Sequence, residues 1–154
     1  MKKSKIVLIV ALIIAMLGLS ACGGADEAAD DDWSVIIVDG VGVEGSYVIT
    51  VGASDFPTHV PLIMVAEALD ARVEWNRDTN EVMLPGRNGF IMFTAGTAGY
   101  RVAGETIDWL APAAVIDGEL YVPIPFFRAV FGMGQAIWMG GHVYIDTHGF
   151  DDMH

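Results

Sequence analysis

Apolar and polar residues alternate along much of the chain, and in two segments the apolar spacing is helical instead. Short β-branched or alternating runs bounded by Gly, Asn or Asp are typical of strands. Residues 61–70 and 123–131 each begin with a proline, which the first turn of a helix tolerates, and carry apolar positions three and four apart. We therefore predict two short helices there, a hairpin formed by strands 34–38 and 47–51, and further strands at 72–75, 81–84, 89–94, 100–103, 113–116, 119–122, 135–139 and 142–146.

The two predicted helices lie in segments that echo each other 62 residues apart. Val60-Pro61-Leu62 is matched by Val122-Pro123-Ile124, and each helix is followed by a tryptophan-bearing hairpin, with Trp75 in one and Trp138 in the other. Such repetition indicates a repeated structural unit. Because neither unit is large enough to bury its own apolar face, we expect both to share one core. The predicted fold is α+β, with two repeated strand-helix-hairpin units, mostly antiparallel strands and two short helices.

The segments VPLIMVAEALDARVEWNRDTNEVML and APAAVIDGELYVPIPFFRAVFGMGQAIWMGGHVYID resemble the two halves of the copper amine oxidase N-terminal-like (stalk) domain family. The resemblance extends over residues 34–146 and implies a secreted, non-catalytic α+β module of bacterial surface proteins. It implies no copper chemistry, because it is to the stalk of the amine oxidases and not to their catalytic core. Family members usually have arginine just after the Val-Pro-Leu motif, where this chain has Ile63 and Pro125.

The N-terminal segment has the pattern of a cleavable export signal. Three lysines precede the apolar run Ile6–Leu19, which is shorter than the about 20 residues that a membrane-spanning helix needs. The run ends in Leu19-Ser20-Ala21-Cys22, which resembles the lipobox of bacterial lipoproteins, where lipid is attached to the cysteine and the chain is cut before it. We predict a lipoprotein signal peptide at 1–21, acylation (palmitate) of Cys22, and anchoring at the extracytoplasmic face of the cell membrane. An ordinary secretory signal with an incidental cysteine is the alternative.

The net charge of the chain limits the classes of partner that it can bind. Loss of the leader would remove all three lysines and change the formal net charge from −12 to −15. Nucleic-acid phosphates and anionic headgroups would repel so acidic a chain, so we expect no nucleic-acid partner and contact with the membrane through the lipid. Residues 22–32 are rich in acidic residues and lack large apolar ones, which is typical of a flexible tether. The predicted domain occupies 33–147, and an acidic tail follows at 148–154.

The segment Gly40–Gly45 matches the G-x-G-x-x-G pattern of dinucleotide-binding loops. That chemistry needs a helix to open at the last glycine, whereas residues 46–51 are strongly strand-forming, so a glycine-rich hairpin loop is the better interpretation. The motifs of zinc proteases, serine hydrolases and P-loop proteins do not occur. A small hydrolase using Asp55, Glu105 or Asp108 is a weaker alternative, because no spacing fixes a pair of these carboxylates. We predict no enzyme activity and no cofactor.

Methionine and histidine are concentrated near the C-terminus, where their thioether and imidazole groups would suit copper. The set comprises Met133, Met139, His142, His148, Met153 and His154. One interpretation is metal handling; the other is packing methionines in a hairpin followed by a frayed tail. Because a metal site needs ligands that neighbouring groups hold in place, the second interpretation is favoured and no metal ligand is assigned.

Trp75, Trp109, Tyr121 and Trp138 are the candidates for a binding platform. The equivalent places of Trp75 and Trp138 in the two units favour a structural role. Trp109 lies outside that pattern, so we predict ligand binding at Trp109 and Tyr121, with a cell-wall glycan or an envelope protein as ligand. The sequence thus predicts a membrane-anchored extracytoplasmic binding or scaffolding module. A surface or periplasmic copper-handling protein using the C-terminal Met/His residues is the alternative.

Overall fold

The computed structural model describes residues 35–148, which form twelve strands and two short helices. They lie in the compact unit Ser34–His154. The predicted leader, Cys22, the acidic tether and all of the tail except His148 lie outside the described residues. Within 35–148, no helix has the length and apolar character needed to cross a membrane. The strands are β1 (Ile36–Val38), β2 (Val41–Gly42), β3 (His59–Pro61), β4 (Glu74–Asn76), β5 (Glu81–Gly86), β6 (Gly89–Thr94), β7 (Tyr100–Val102), β8 (Glu105–Ile107), β9 (Ala114–Ile116), β10 (Glu119–Pro123), β11 (Gln135–Met139) and β12 (His142–Asp146).

Strands β4 to β8 form one antiparallel sheet in chain order. The two faces of this sheet differ in burial: Val82 and Leu84 of β5 are buried and Met83 between them is exposed, while in β6 Ile91 is buried and Met92 exposed. This period of two is what the sequence predicts, so the strands placed at 81–84 and 89–94 are confirmed. Strand β8 was not predicted, because its three residues include two polar ones and give no periodic signal.

The four-stranded sheet has the order β11-β12-β1-β2. Strand β1 runs parallel to β12, with Val38 opposite Ile145, and antiparallel to β2. The hairpin predicted between strands 34–38 and 47–51 is therefore wrong. Strand β1 pairs instead with part of the glycine-rich loop, and 47–51 contributes one isolated bridge, from Ile49 to His59.

Side-chain hydrogen bonds explain why residues 47–51 leave β1. The buried Ser46 hydroxyl accepts a hydrogen bond from the backbone N–H of Ile36 at 2.9 Å, and so takes the donor that a neighbouring strand would use. The next residue, Tyr47, donates its hydroxyl to Glu119 at the start of β10. The chain after Gly45 is thus held extended toward β10, and no helix opens there as a dinucleotide-binding loop requires.

The third sheet has β10 between β3 and β9, antiparallel to both. Val122 of β10 lies opposite Val60 of β3, and both side chains are fully buried. Pro61 is the last residue of β3, with an extended backbone (φ −66°, ψ 117°), so the helix begins one residue after it. The two Val-Pro pairs at the ends of β3 and β10 lead into the two helices that follow.

The first helix, α1 (Leu62–Ala68), buries Leu62, Val65 and Ala66, as the helical spacing predicts. The second helix is confirmed in place but is a short π-helix, Phe127–Phe131. It ends at Gly132, whose φ of 89° favours glycine and whose added Cβ would lie 3.0 Å from the Cβ of Arg87. Its buried residues are Phe127, Val130 and Phe131.

Aromatic rings connect the five-stranded sheet to the π-helix. Phe93 and Tyr100 from the five-stranded sheet meet Phe126 edge to face, with ring centroids 5.8 and 5.3 Å away, and Phe126 contacts Phe127 at 5.4 Å. Edge-to-face pairs at these distances stabilise a core beyond their buried area. The core is therefore continuous across the described residues.

Mostly antiparallel strands with two short helices are confirmed. A strand, a helix and a hairpin follow one another twice, but the hairpins β4-β5 and β11-β12 belong to different sheets and the helices differ in type. That the two halves are repeated units stays a prediction.

Candidate binding groove

An apolar groove of about 560 Å³ lies where four separate segments meet. The loop between β8 and β9 forms one wall with Trp109, and strand β11 forms another with Trp138. Residues before β3 and at the end of β10 complete the groove and include three prolines. Its lining residues are Pro57, Thr58, His59, Trp109, Leu110, Ala111, Pro123, Ile124, Pro125, Ala136, Ile137 and Trp138.

Trp109 is 70% exposed, the largest exposed fraction among the large apolar side chains of the described residues. Its loop is nevertheless fixed, because Leu110 and Ala113, which follow it, are buried. The buried Tyr100 donates its hydroxyl to the carbonyl of Ala111 at 2.7 Å, and burial raises the pKa of Tyr100. An exposed indole on a fixed loop is what a preformed contact surface requires, since little side-chain and loop entropy is lost on binding.

His59 fixes the same loop from β3. Its side chain is 2% exposed, and Nε2 lies 3.1 Å from the carbonyl oxygen of Pro112, which can only accept. Nε2 therefore carries the proton and Nδ1 accepts from the Thr58 hydroxyl at 2.8 Å. Thr58 accepts in turn from the backbone N–H of Val51 at 2.9 Å. Burial lowers the pKa of His59, despite the opposing effect of the Pro112 hydrogen bond, so the ring is neutral near pH 7.

Tyr121 lies elsewhere and is 4% exposed. Its hydroxyl donates to the hydroxyl of Tyr47 at 2.8 Å, and Tyr47 donates to the carboxylate of Glu119. The hydrogen bond to Glu119 raises the pKa of Tyr47, because ionisation would break it. The structure thus places Tyr121 in a chain of hydrogen bonds that holds residue 47 against β10, and does not bring it to the Trp109 groove. Ligand binding at Tyr121 stays a prediction.

The two tryptophans of the hairpins have different surroundings. Trp138 is half-buried and lines the groove beside Trp109's loop. Trp75 packs against the core, carries the guanidinium of Arg77 over its ring at 4.2 Å, and has a buried Nε1 without a hydrogen-bond partner. Sequence reasoning gave both residues the same structural role and so missed Trp138 and His59 as groove residues. No local pattern could have found them, because the groove is assembled from four distant segments.

Asp39, Asp146 and His148 form the group of possible metal ligands within residues 35–148, with one ligand atom of each within 4.8 Å of the others. The parallel pairing of β1 with β12 brings the two aspartates together, because each follows a residue of the pair Val38–Ile145. Thr147 donates its N–H and its hydroxyl to Asp39, at 2.8 and 2.9 Å.

The Asp39 group differs from the Met/His set that the sequence suggested. Neighbouring protein atoms reduce the hydration of Asp39, which favours a raised pKa, but the hydrogen bonds from Thr147 outweigh this effect and the net pKa is lowered. Of the Met/His set, only His148 belongs to this group; Met139 and His142 face each other across the β11-β12 turn, and Met133 packs against the core. Met153 and His154 lie outside the described residues.

The remaining sequence candidates do not converge on the groove. Asp55, Glu105 and Asp108 are all exposed, and none lines it. Pro125, at one position where the family usually has arginine, is a groove residue, whereas Ile63 on α1 lines a smaller cleft with Met64 and Glu67.

Comparisons with known proteins identify the family to which this domain belongs. A comparison with curated proteins found no match. The family model of the copper amine oxidase N-terminal domain matches residues 50–142, which is more than half of the 154-residue chain and includes every element from β3 to β11. This matched segment contains the Trp109 loop, His59 and Trp138. The chain therefore belongs to the copper amine oxidase N-terminal domain family.

Proposed function

We propose that this protein is a membrane-anchored, extracytoplasmic binding module, and that its Trp109 groove captures an apolar, proline-containing segment of an envelope protein. The domain family is a non-catalytic module, and no catalytic domain is identified in the chain. The observation that carries the proposal is Trp109: a large indole that is 70% exposed yet held by a loop fixed through Tyr100 and His59. Exposed aromatic side chains on fixed supports are typical of recognition surfaces.

The lining favours a peptide over a glycan. Apart from the two indoles, the polar side chains of the groove are Thr58 and His59, and both are already hydrogen-bonded to each other and to the backbone. Sugar hydroxyls would therefore lose water without gaining side-chain partners, which costs free energy. Polyproline-type segments instead dock on aromatic-lined apolar grooves, and an indole N–H can donate to their free carbonyls.

Anchoring to the membrane is the second part of the proposal, and it is supported by the leader pattern and by Cys22. A lipid on Cys22 would place the folded domain within reach of other envelope proteins while the acidic chain avoids anionic surfaces. Copper handling is the less favoured function, because the histidine and acidic side chains that lie together among the described residues are two carboxylates, which suit harder ions, and a single imidazole.

Binding of an acetylated hexaproline amide, followed by tryptophan fluorescence and by calorimetry, tests the groove. We expect saturable binding that weakens at least about fivefold in Trp109→Ala, since a buried aromatic contact contributes about 1 kcal/mol or more. The matched control is Phe90→Ala, which removes a ring that is 64% exposed on β6 and does not line the groove. Saturable binding of chitotetraose that is lost in Trp109→Ala, without any binding of hexaproline, would show a glycan site instead.

A further inference from the structure

The outer face of the five-stranded sheet carries a row of side chains in direct register. Glu74 pairs with Met83, Met83 with Met92, Met92 with Arg101, and Arg101 with Thr106, one residue from each of the strands β4 to β8. All five residues are exposed, whereas the residues before and after them on the central strands are buried on the opposite face. The row is therefore a continuous strip at right angles to the strands.

This strip is the floor of a groove of about 770 Å³, a volume in the range of ligand sites in proteins. Met83 and Met92 are 36% and 43% exposed and lie side by side at its centre. The turn Thr97–Gly99 between β6 and β7 borders the groove. Neither Trp109 nor Trp138 lines it, so this surface is separate from the Trp109 groove.

Opposite charges lie on the two sides of the methionine pair in the strip. Glu74 lies at one end, with Glu81 on the same face of the adjacent strand, and Arg101 lies beyond the methionines. The side chains of Glu74 and Arg101 have no ion-pair or hydrogen-bond partner among the described residues. Arg77, three residues after Glu74, lies over the Trp75 ring instead. An apolar centre thus lies between an unpaired carboxylate and an unpaired guanidinium.

Strand spacing sets the distance between these charges. Neighbouring strands lie about 4.8 Å apart, so three steps separate Glu74 from Arg101 by about 14 Å. In an extended peptide, residues i and i+4 point to the same side and lie about 13 Å apart, with residue i+2 between them. A peptide with a basic residue at i, an apolar residue at i+2 and an acidic residue at i+4 would therefore match the carboxylate, the thioethers and the guanidinium at once.

We propose that this sheet face binds an extended peptide segment of the pattern basic-x-apolar-x-acidic, lying across strands β4 to β7. The methionine thioethers adapt to the apolar side chain, which gives tolerance at that position. The charges of Glu74 and Arg101, on the two sides of the methionines, fix the direction of the segment and reject peptides with like charges.

Titration of the full chain, purified from membranes in detergent, with fluorescein-labelled Lys-Ser-Leu-Ser-Glu amide tests the proposal by fluorescence anisotropy. Exposed charge pairs contribute modestly, so we expect Glu74→Gln and Arg101→Gln each to weaken binding about two- to fivefold. Serine in place of the peptide leucine should weaken it about tenfold, because the apolar contact is lost. Arg128→Gln is the matched control, since Arg128 is an exposed arginine outside the groove.

A charge exchange separates this site from non-specific attraction to an acidic protein. The variant Arg101→Glu should bind the original peptide weakly and regain affinity for Lys-Ser-Leu-Ser-Lys amide. In a chain labelled with [¹³C-methyl]methionine, the peptide should shift the signals of Met83 and Met92 and leave that of Met133 unchanged. Equal binding by wild type and the Glu74 and Arg101 variants, or loss of binding in Trp109→Ala only, would overturn the proposal. Because Trp109→Ala leaves this strip intact, failure here is distinguishable from failure of the Trp109 groove.

Discussion

Val60 and Val122 lie directly opposite each other in the antiparallel pair of β3 and β10, although 62 residues separate them along the chain. Both are fully buried, and each precedes the proline that ends its strand. The strands that lead into the two helices therefore stabilise each other. We therefore expect the folding of one half to depend on the other.

Substitution of Val122 by alanine tests this dependence. We expect a loss of about 2 to 4 kcal/mol in the free energy of unfolding, because two buried methyl groups are removed and a cavity is left between the halves. Urea unfolding followed by circular dichroism should show one cooperative transition at a lower midpoint. Val115→Ala on β9, where the valine is 40% exposed, is the control and should change stability by less than about 1 kcal/mol. Two separate transitions in the variant would mean that the halves fold independently.

Local sequence patterns predicted the strands and helices well where burial alternates or recurs within one element. The β4-β5 hairpin, β6 and the buried face of α1 follow from residues such as Val82, Leu84 and Val65, whose burial depends on near neighbours. Leu69 and Phe131 occupy corresponding places 62 residues apart in the echoed segments, but Leu69 is half-buried just after α1 while Phe131 is 5% exposed at the end of the π-helix. Helix type and end geometry depend on tertiary packing that spacing alone does not encode.

Long-range features were not predictable from those patterns. The parallel pairing of β1 with β12 joins opposite ends of the domain. The backbone N–H of Ile36 donates to the Ser46 hydroxyl, and the expected hairpin does not form. The candidate site also combines a residue that local sequence indicated with residues that only long-range packing brings in. Trp109 was found because it lies outside the repeated pattern, whereas His59 and Trp138 join it only through the packing of four distant segments.

Replacement of Cys22 by serine tests the proposed anchor. A hydroxyl does not replace the thiol that would form the thioether, so we expect loss of palmitate incorporation and an unprocessed or released chain. Metabolic labelling with a palmitate analogue, together with fractionation of membranes and medium, measures both effects. Met16→Ser, within the apolar run of the leader, is a control that should keep the lipid. Normal labelling of Cys22→Ser would rule out the anchor.

Metal titration tests the less favoured function. We expect no binding of Cu(I), Cu(II) or Zn(II) tighter than about micromolar, or about −8 kcal/mol. The reason is that Asp39 and His148 are exposed and that Asp39 already accepts two hydrogen bonds from Thr147. Calorimetry on wild type and Asp39→Asn measures the affinity. A nanomolar one-to-one complex that is lost in His142→Ala or His148→Ala would favour metal handling over peptide binding.

His59 makes the stability of the domain depend on pH. Its pKa is lowered by burial in the folded state, whereas in the unfolded chain it has the ordinary value of about 6.5. Above that value the ring is neutral in both states and its contribution is fully present. As the pH falls below it, the unfolded chain binds the proton first, so stability declines until the pH reaches the lowered pKa of the folded state.

Asparagine at position 59 is neutral at every pH, so in His59→Asn this position should no longer contribute to the decline in stability. Urea unfolding between pH 7.5 and 4.5, with the slope of stability against pH compared between wild type and variant, isolates the contribution of one proton, at most about 1.4 kcal/mol per pH unit. His148→Gln is the control, because His148 is exposed and its loss should leave most of the slope. Since His59 holds the loop of Trp109 through Pro112, we also expect hexaproline binding by wild type to weaken only below the lowered pKa of His59, where the ring of the folded protein takes up a proton. If the slopes of wild type and His59→Asn were equal, the buried neutral imidazole would not be what fixes this loop.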